Sequence, residues 1–200
     1  MIDLNADYWS GRYKDDNTGW DIGHVSAPIK EYIDQLTNKS LAILIPGCGN
    51  SYEAEYLLKN SFTNITLIDI SPVLTKKLED KFNTFNHKQL TIIAGNFFDL
   101  KGKFDLIIEQ TFFCALDPAL RKAYVDKMYD LLKPGGKIAG VLFNKEFEGG
   151  PPFGGTKEEY VQLFADKFKI KTMESCYNSI APRKDSEVFI IMQKTESLPD

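Results

Sequence analysis

From Ser26 onward the chain alternates short apolar runs with amphipathic stretches. Residues 26–36 have helical spacing, with Pro28 tolerated in the first turn. Residues 41–45, Leu-Ala-Ile-Leu-Ile, form a compact and partly β-branched run that ends in Pro46-Gly47. That is the pattern of a strand buried on both faces. Residues 51–59 return to helical spacing, with Ala54, Tyr56, Leu57 and Leu58 on the apolar side. A second buried strand is expected at 65–70, and Ser71-Pro72 supplies the cap and first-turn proline of the next helix.

The alternation continues with strands at 90–94 and 104–108 and an amphipathic helix at 118–132. Lys133-Pro134-Gly135-Gly136 should stop that helix before a fifth strand at 137–143. A helix at 156–166 then precedes strands at 169–176 and 187–193. Strand–helix alternation predicts an α/β fold with a doubly wound, mostly parallel seven-stranded sheet, whose ligands bind at the carboxyl ends of the strands. The last two strands have no helix between them, so they should pair antiparallel at one edge. No repeat or linker interrupts the pattern, and Gly149-Gly150-Pro151-Pro152 reads as a loop. Residues 1–200 are therefore expected to form one domain, with 1–36 as an N-terminal aromatic and helical segment.

Composition narrows the function. A net charge of −4, with lysines interspersed among acids, gives no basic face for a nucleic acid. Residues 1–5 lack a signal peptide's basic patch and apolar run, and no stretch approaches the roughly 18 apolar residues of a membrane helix. Cys48, Cys114 and Cys176 are odd in number and far apart, which argues against disulfides and zinc and for a reducing, cytoplasmic location. With only His24 and His87, metal or triad chemistry is poorly supplied. A monomer acting on a small molecule, away from nucleic acid and membrane, is the expectation.

Candidate chemistry gathers at the predicted strand tips. Gly47 and Gly49 sit where the first strand turns into a helix, so the backbone can approach a ligand closely. Asp69, beside Ile70, ends the second strand about 20 residues on, where a carboxylate can accept both hydroxyls of a ribose. The third glycine of the dinucleotide pattern is missing, and Tyr52 and Glu53 stand near its place. A nucleoside without a pyrophosphate fits this loop better. Asn96 and Phe97 follow the third strand and could border an adenine, although Phe97 and Phe98 are equally readable as core. Glu109-Gln110 ends the fourth strand, followed by Phe112, Phe113 and Cys114. Cys114 as a nucleophile has no histidine nearby in sequence. Trp9, Tyr13 and Trp20, with Tyr8, lie in a polar segment and follow no helical core stripe along its whole length. A lid would explain them, and aromatic faces attract a sulfonium cation.

Trp9 to Trp20 with Asp21-x-Gly23, then Ile45-Pro46-Gly47-Cys48-Gly49, Asp69-Ile70-Ser71, Phe112-Phe113-Cys114-Ala115, Leu132-Lys133-Pro134-Gly135 and Gly149-Gly150-Pro151-Pro152 occur in order at compatible spacing. Together they resemble the thiopurine S-methyltransferase superfamily, most closely its plant branch of halide and thiol (thiocyanate) methyltransferases. The resemblance implies a Rossmann-like class I methyltransferase that uses S-adenosyl-L-methionine and releases S-adenosyl-L-homocysteine. It implies that Trp9, Tyr13 and Trp20 close over that cofactor. Gly47 would meet its methionyl part, Asp69 its ribose, and Asn96 and Phe97 its adenine, with Glu109 at the position after the fourth strand. Phe153 matches an aromatic position beside the transferred methyl group, and Arg121 a substrate-proximal arginine of the thiopurine branch. Phe113 would join Trp9, Trp20 and Phe153 in a closed apolar wall. The chain departs from the pattern at Tyr13, where tryptophan is common, at Phe153, where the plant branch has tyrosine, and at Asn96, where an acid is frequent.

Methyl transfer from a sulfonium to an anion needs alignment and exclusion of water more than acid or base, which suits an aromatic pocket without histidine. The acceptor is open among halides, small inorganic thiols and thiopurine-like thiols. An NAD-dependent oxidoreductase is the alternative enzyme, disfavoured by the missing glycine and the chain length. A protein that binds the nucleoside without chemistry is the alternative outside enzymes.

Overall fold

The structure, a computed structural model, describes residues 3–85 and 87–195, so the ends of the expected 1–200 domain, including Met1 and Ile2, lie outside it. Seven strands form one sheet: β1 (Ile43–Pro46), β2 (Ile65–Asp69), β3 (Leu90–Ala94), β4 (Phe104–Gln110), β5 (Leu132–Phe143), β6 (Phe168–Ser175) and β7 (Glu187–Lys194). Their order is β3-β2-β1-β4-β5-β7-β6. The first five are parallel, while β7 runs antiparallel to both β5 and β6. The expected final pair is present, and β7 rather than β6 sits beside β5.

Helices α1 (Ala6–Lys14), α2 (Ala27–Asp34), α3 (Tyr52–Lys59), α4 (Pro72–Lys81), α5 (Arg121–Leu131) and α6 (Lys157–Phe164) cover the two faces. Alternation along the central strands feeds both layers. Leu44 and Ile107 join a core with Tyr124 and Met128 of α5 and Phe164 of α6. Ile43, Ile45, Leu106 and Ile108 point the other way, onto Ile33 of α2, Leu57 of α3 and Leu78 of α4. None of these helices is long and apolar enough to cross a membrane.

Three expectations are corrected. The N-terminal stretch contains a helix, α1, whose cap is the Asn5 side chain accepting from Asp7 N and Tyr8 N. It buries only Ser10 and Tyr13, so it shows no broad apolar stripe. Ser10 Oγ meets Ser71 Oγ at 3.0 Å, and Lys77 Nζ donates to Tyr13 O at 3.2 Å, tying α1 to α4. Second, residues 118–120 are a 3₁₀ turn capped by Asp117, and the α-helix begins at Arg121. Third, Lys133-Pro134-Gly135-Gly136 does stop that helix, but the chain enters β5 directly. Pairing with β4 jumps from Phe104↔Leu132 to Leu106↔Lys137, so the four residues form a bulge opposite Asp105.

The tip of β4 is set by a buried acid. Glu109, with no exposed surface, accepts from Phe112 N at 2.8 Å and Phe113 N at 3.0 Å on one oxygen, and from Tyr124 Oη at 2.5 Å on the other. Burial pushes its carboxyl up to about 7, against the opposing pull of those three donors.

A carboxyl raised above its ordinary 4.5 keeps a proton in the folded state that the unfolded chain has released. This stabilising contribution is complete below that ordinary value and lost as pH rises through about 7. Unfolding free energy from urea titration should therefore decline across this window, and Glu109→Gln should flatten the decline; an unaltered slope would contradict the assignment. Packing makes a second prediction. A Cβ on Gly140 of β5 would lie 2.1 Å from Glu109 O, whereas one on Gly11 of α1 meets nothing within 4 Å. Gly140→Ala should cost about 3 kcal/mol and Gly11→Ala should add about 0.5–1 kcal/mol in the same titration.

Candidate functional site

A cavity of about 890 Å³ opens at the carboxyl ends of the parallel strands, where the order switches between β1 and β4. Gly47 and Gly49 line it in left-handed backbone conformations, with φ of +54° and +51°. At Gly47 the absent Cβ also has a packing reason, since it would lie 2.2 Å from the Phe112 ring. Phe112 is itself placed by Glu109, through a turn at Thr111 with φ +61°, an unusual conformation for a β-branched residue.

Asp69 reaches the cavity from the tip of β2, and Ile70 follows it on the wall. Its carboxylate accepts from Ser71 N at 2.9 Å and, weakly, from Gly49 N at 3.5 Å. Burial raises its pKa to about 6, the backbone donors opposing. Two amide donors leave lone pairs for hydroxyl groups of a ligand. Asn96 caps the turn at Phe97 by accepting from Phe98 N at 3.0 Å, which leaves its amide N–H₂ for the cavity. Phe97 is core and wall at once: only 4% exposed, it packs edge-on to Phe98 and Phe112 while bordering the cavity.

The N-terminal aromatics come together over this pocket. Trp20 meets Trp9 at 5.5 Å and Tyr13 at 5.9 Å, both edge-to-face, and all three border the cavity. The Tyr13 hydroxyl is buried 3.6 Å from where a Cβ on Gly49 would stand, and burial with nearby Asp69 raises its pKa strongly. Asp21 anchors the segment by accepting from Gly23 N at 2.7 Å, Tyr52 Oη at 3.3 Å and the Asn50 amide.

Charge is distributed unevenly around the wall. Asp21, Glu53 and Asp69 line the side beneath β1 and β2, and burial raises the Glu53 carboxyl as well. Arg12 also borders this side, stacked on Trp20 with its Nε donating to Asn17 O. Lys145, after β5, and Arg183, before β7, line the other side. The two meet where Arg183 donates to Trp20 O at 2.7 Å.

Four expected site residues are not on this wall. Glu109 is consumed by the β4 tip. Phe113, 2% exposed, is packed against Tyr124 at 5.0 Å and Tyr160 at 5.5 Å. Arg121 stacks on Phe113 at 5.1 Å and donates to Gly154 O at 2.5 Å. Phe153 folds back so that a Cβ on Gly150 would lie 2.4 Å from its ring, and its N–H donates to Cys114 O at 2.7 Å. These residues brace the loop after β5, and Pro151 and Pro152 face the cavity instead. The sequence reading missed Phe143, Phe147, Lys145 and Arg183, and named Phe112 only as a neighbour of Glu109. Topology carried the signal: the loop leaving β5 and the loop entering antiparallel β7 open on the same face.

Similarity to known proteins bears on the family and the fold. The protein of Arabidopsis thaliana named "Probable thiol methyltransferase 2" is 29% identical over 192 residues, covering 94% of this chain and 84% of that protein. A thiopurine S-methyltransferase of Acinetobacter baylyi is 24% identical, covering 86% and 88%. Among solved structures, the 1,6-didemethyltoxoflavin-N1-methyltransferase of Burkholderia thailandensis, with S-adenosylhomocysteine bound, shares the fold with a TM-score of 0.76 at 16% identity, covering 96% of this chain and 87% of that one. The sequence profile of the thiopurine S-methyltransferase family matches residues 4–198, from the aromatic helix to the last strand. The chain belongs to the thiopurine S-methyltransferase family.

Proposed function

We propose that residues 1–200 act as one domain in which this methyltransferase transfers a methyl group from S-adenosylmethionine to a small thiol-type acceptor bound as its anion. The observation that carries this reading is the polarity of the cavity, with carboxylates on the nucleoside side and cations on the other. Bound S-adenosylmethionine supplies a methyl group on a sulfonium, which a thiolate takes as the bond to the old sulfur breaks and that sulfur keeps the electron pair.

The chain's own residues do the rest. Asp69 holds the ribose, Asn96 and Phe97 border the adenine, and Gly47 and Gly49 let the backbone reach the methionyl part. Trp9, Tyr13 and Trp20 turn aromatic faces toward a cation and keep water from it. On the acceptor side, Lys145 and Arg183 favour an ionised thiol by lowering its pKa. The carboxylate of Asp117, also on that wall, is engaged by Ala119 N at 2.8 Å. Burial pushes the Cys114 thiol up to about 12, which removes it as a nucleophile. A halide would leave much of the acceptor side to water, so an organic thiol fits the volume better.

The oxidoreductase reading has no support in the family match, and turnover decides between an enzyme and a mere binder. Incubation with S-adenosylmethionine and a panel of thiols should yield S-adenosylhomocysteine; cofactor binding without product on any thiol or halide would favour the binder. Both tryptophans of the chain border the cavity, so S-adenosylhomocysteine should change the intrinsic fluorescence, and a flat titration would contradict the lid. Asp69→Ala should weaken cofactor binding by about 10- to 100-fold in calorimetry, the effect of losing charge-assisted hydrogen bonds. For the wild type, affinity should fall as pH drops below about 6, where the Asp69 carboxylate protonates. Unchanged affinity in the variant would remove Asp69 from the ribose.

A further inference from the structure

Two cations stand on one aromatic wall, and transfer to a simple thiolate does not need both. Phe143 ends β5 and Phe147 lies in the following loop, their rings meeting edge-to-face at 5.0 Å. Arg183 sits over Phe143 at 5.7 Å, and Lys145 over Phe147 at 5.5 Å. All four residues border the cavity.

The two cations differ in what else engages them. Arg183 is partly committed within the protein, donating to Trp20 O at 2.7 Å and paired with Glu187 at 3.6 Å. Lys145 has no carboxylate partner within 4.0 Å among the described residues. Its backbone is nevertheless firmly placed. Gly155 N donates to Lys145 O at 3.1 Å, and Gly154 packs so closely that a Cβ there would lie 1.8 Å from that oxygen. Lys145 is exposed at the cavity wall on a fixed backbone, and no carboxylate of the described residues competes for its ammonium group with an anion brought into the cavity. There a charge-assisted hydrogen bond would be among the stronger contacts available.

We propose that Lys145 selects acceptors that carry a carboxylate in addition to the reacting thiolate, on a flat aromatic frame lying against Phe143 and Phe147. The aromatic pair would take the frame, Lys145 the carboxylate, and Arg183 would lie nearer the sulfur, beside Trp20. The inference rests on the thiol methylation proposed above and deepens it to a substrate class. It also gives the acceptor side a reason to be cationic beyond thiol ionisation, since a second negative charge brought into the cavity without a partner would be costly.

The test compares para-mercaptobenzoate with thiophenol at mildly alkaline pH, where both thiols are ionised, by following S-adenosylhomocysteine formation. The wild type should prefer the carboxylated thiol in kcat/KM. Lys145→Gln should reduce that preference about fivefold through KM, as expected for loss of a partly exposed ion pair, and Lys145→Arg should keep most of it. Equal use of the two thiols by the wild type, or an unaltered preference in Lys145→Gln, would overturn the inference while leaving thiol methylation standing. No product from either thiol, nor from any other, would remove the broader reading and this one with it.

Discussion

Two strand tips interlock at the switch point of the sheet, and the ligand face depends on that lock. The buried carboxylate of Glu109 captures the N–H groups of Phe112 and Phe113, which turns the chain sharply after β4. That turn drives the Phe112 ring into the space where Gly47 has no Cβ, so the loop after β1 and the loop after β4 fit only together. The same acid holds Tyr124 of α5 through its other oxygen, coupling the site to the core layer beneath it. A buried, raised carboxyl is an expensive device, and here it is used for architecture rather than for proton transfer.

From that frame the chemistry follows with few specialised groups. Under the proposed function, the nucleoside side offers the Asp69 carboxylate, the Asn96 amide and aromatic edges. The acceptor side offers cations, apolar surface and the Asp117 carboxylate, already engaged by Ala119 N. The expectation of a pocket without histidine is corrected, because His24 borders the cavity with its Nδ1 against Val25 O. On the proposed reading such a cavity would bring a positive donor and a negative acceptor together away from bulk water, where their attraction is stronger than in solution. The proposed catalysis by alignment needs the aromatic N-terminal segment to be well positioned. The contacts of Asp21 with Asn50, Tyr52 and Gly23, and of Arg183 with Trp20, supply that positioning from both ends of the chain.

Much of the sheet was legible because buried parallel strands are written as near-continuous apolar runs, such as Ile43 to Ile45 and Ile65 to Ile68. Part of the cavity wall was legible for a related reason: Gly47, Gly49, Asp69 and Asn96 sit at or just beyond the ends of those runs, and a parallel sheet puts such ends together. Helix α1 was not, because its buried face is only Ser10 and Tyr13 and its neighbour is a helix met 60-odd residues later, Ser10 against Ser71. Glu109 was marked by its place at the end of β4, yet it lies off the cavity wall, because position does not say which way a side chain turns. Phe113, Arg121 and Phe153 sit in irregular segments where a one-residue difference swaps wall for core, as Phe112 and Phe113 illustrate. Lys145 and Arg183 lie in loops without a motif, and only the pairing of β7 with β5 reveals that they share a face.

The central claim is that the protein aligns an acceptor already ionised and does not itself remove the proton. Its most direct test is the pH dependence of kcat/KM across a series of aryl thiols of graded acidity, with S-adenosylmethionine saturating. The account predicts that each profile rises to a plateau with an apparent pKa at or below that of the free thiol, moving with the acceptor from one thiol to the next. A single apparent pKa shared by all acceptors would mark a base belonging to the protein and contradict it.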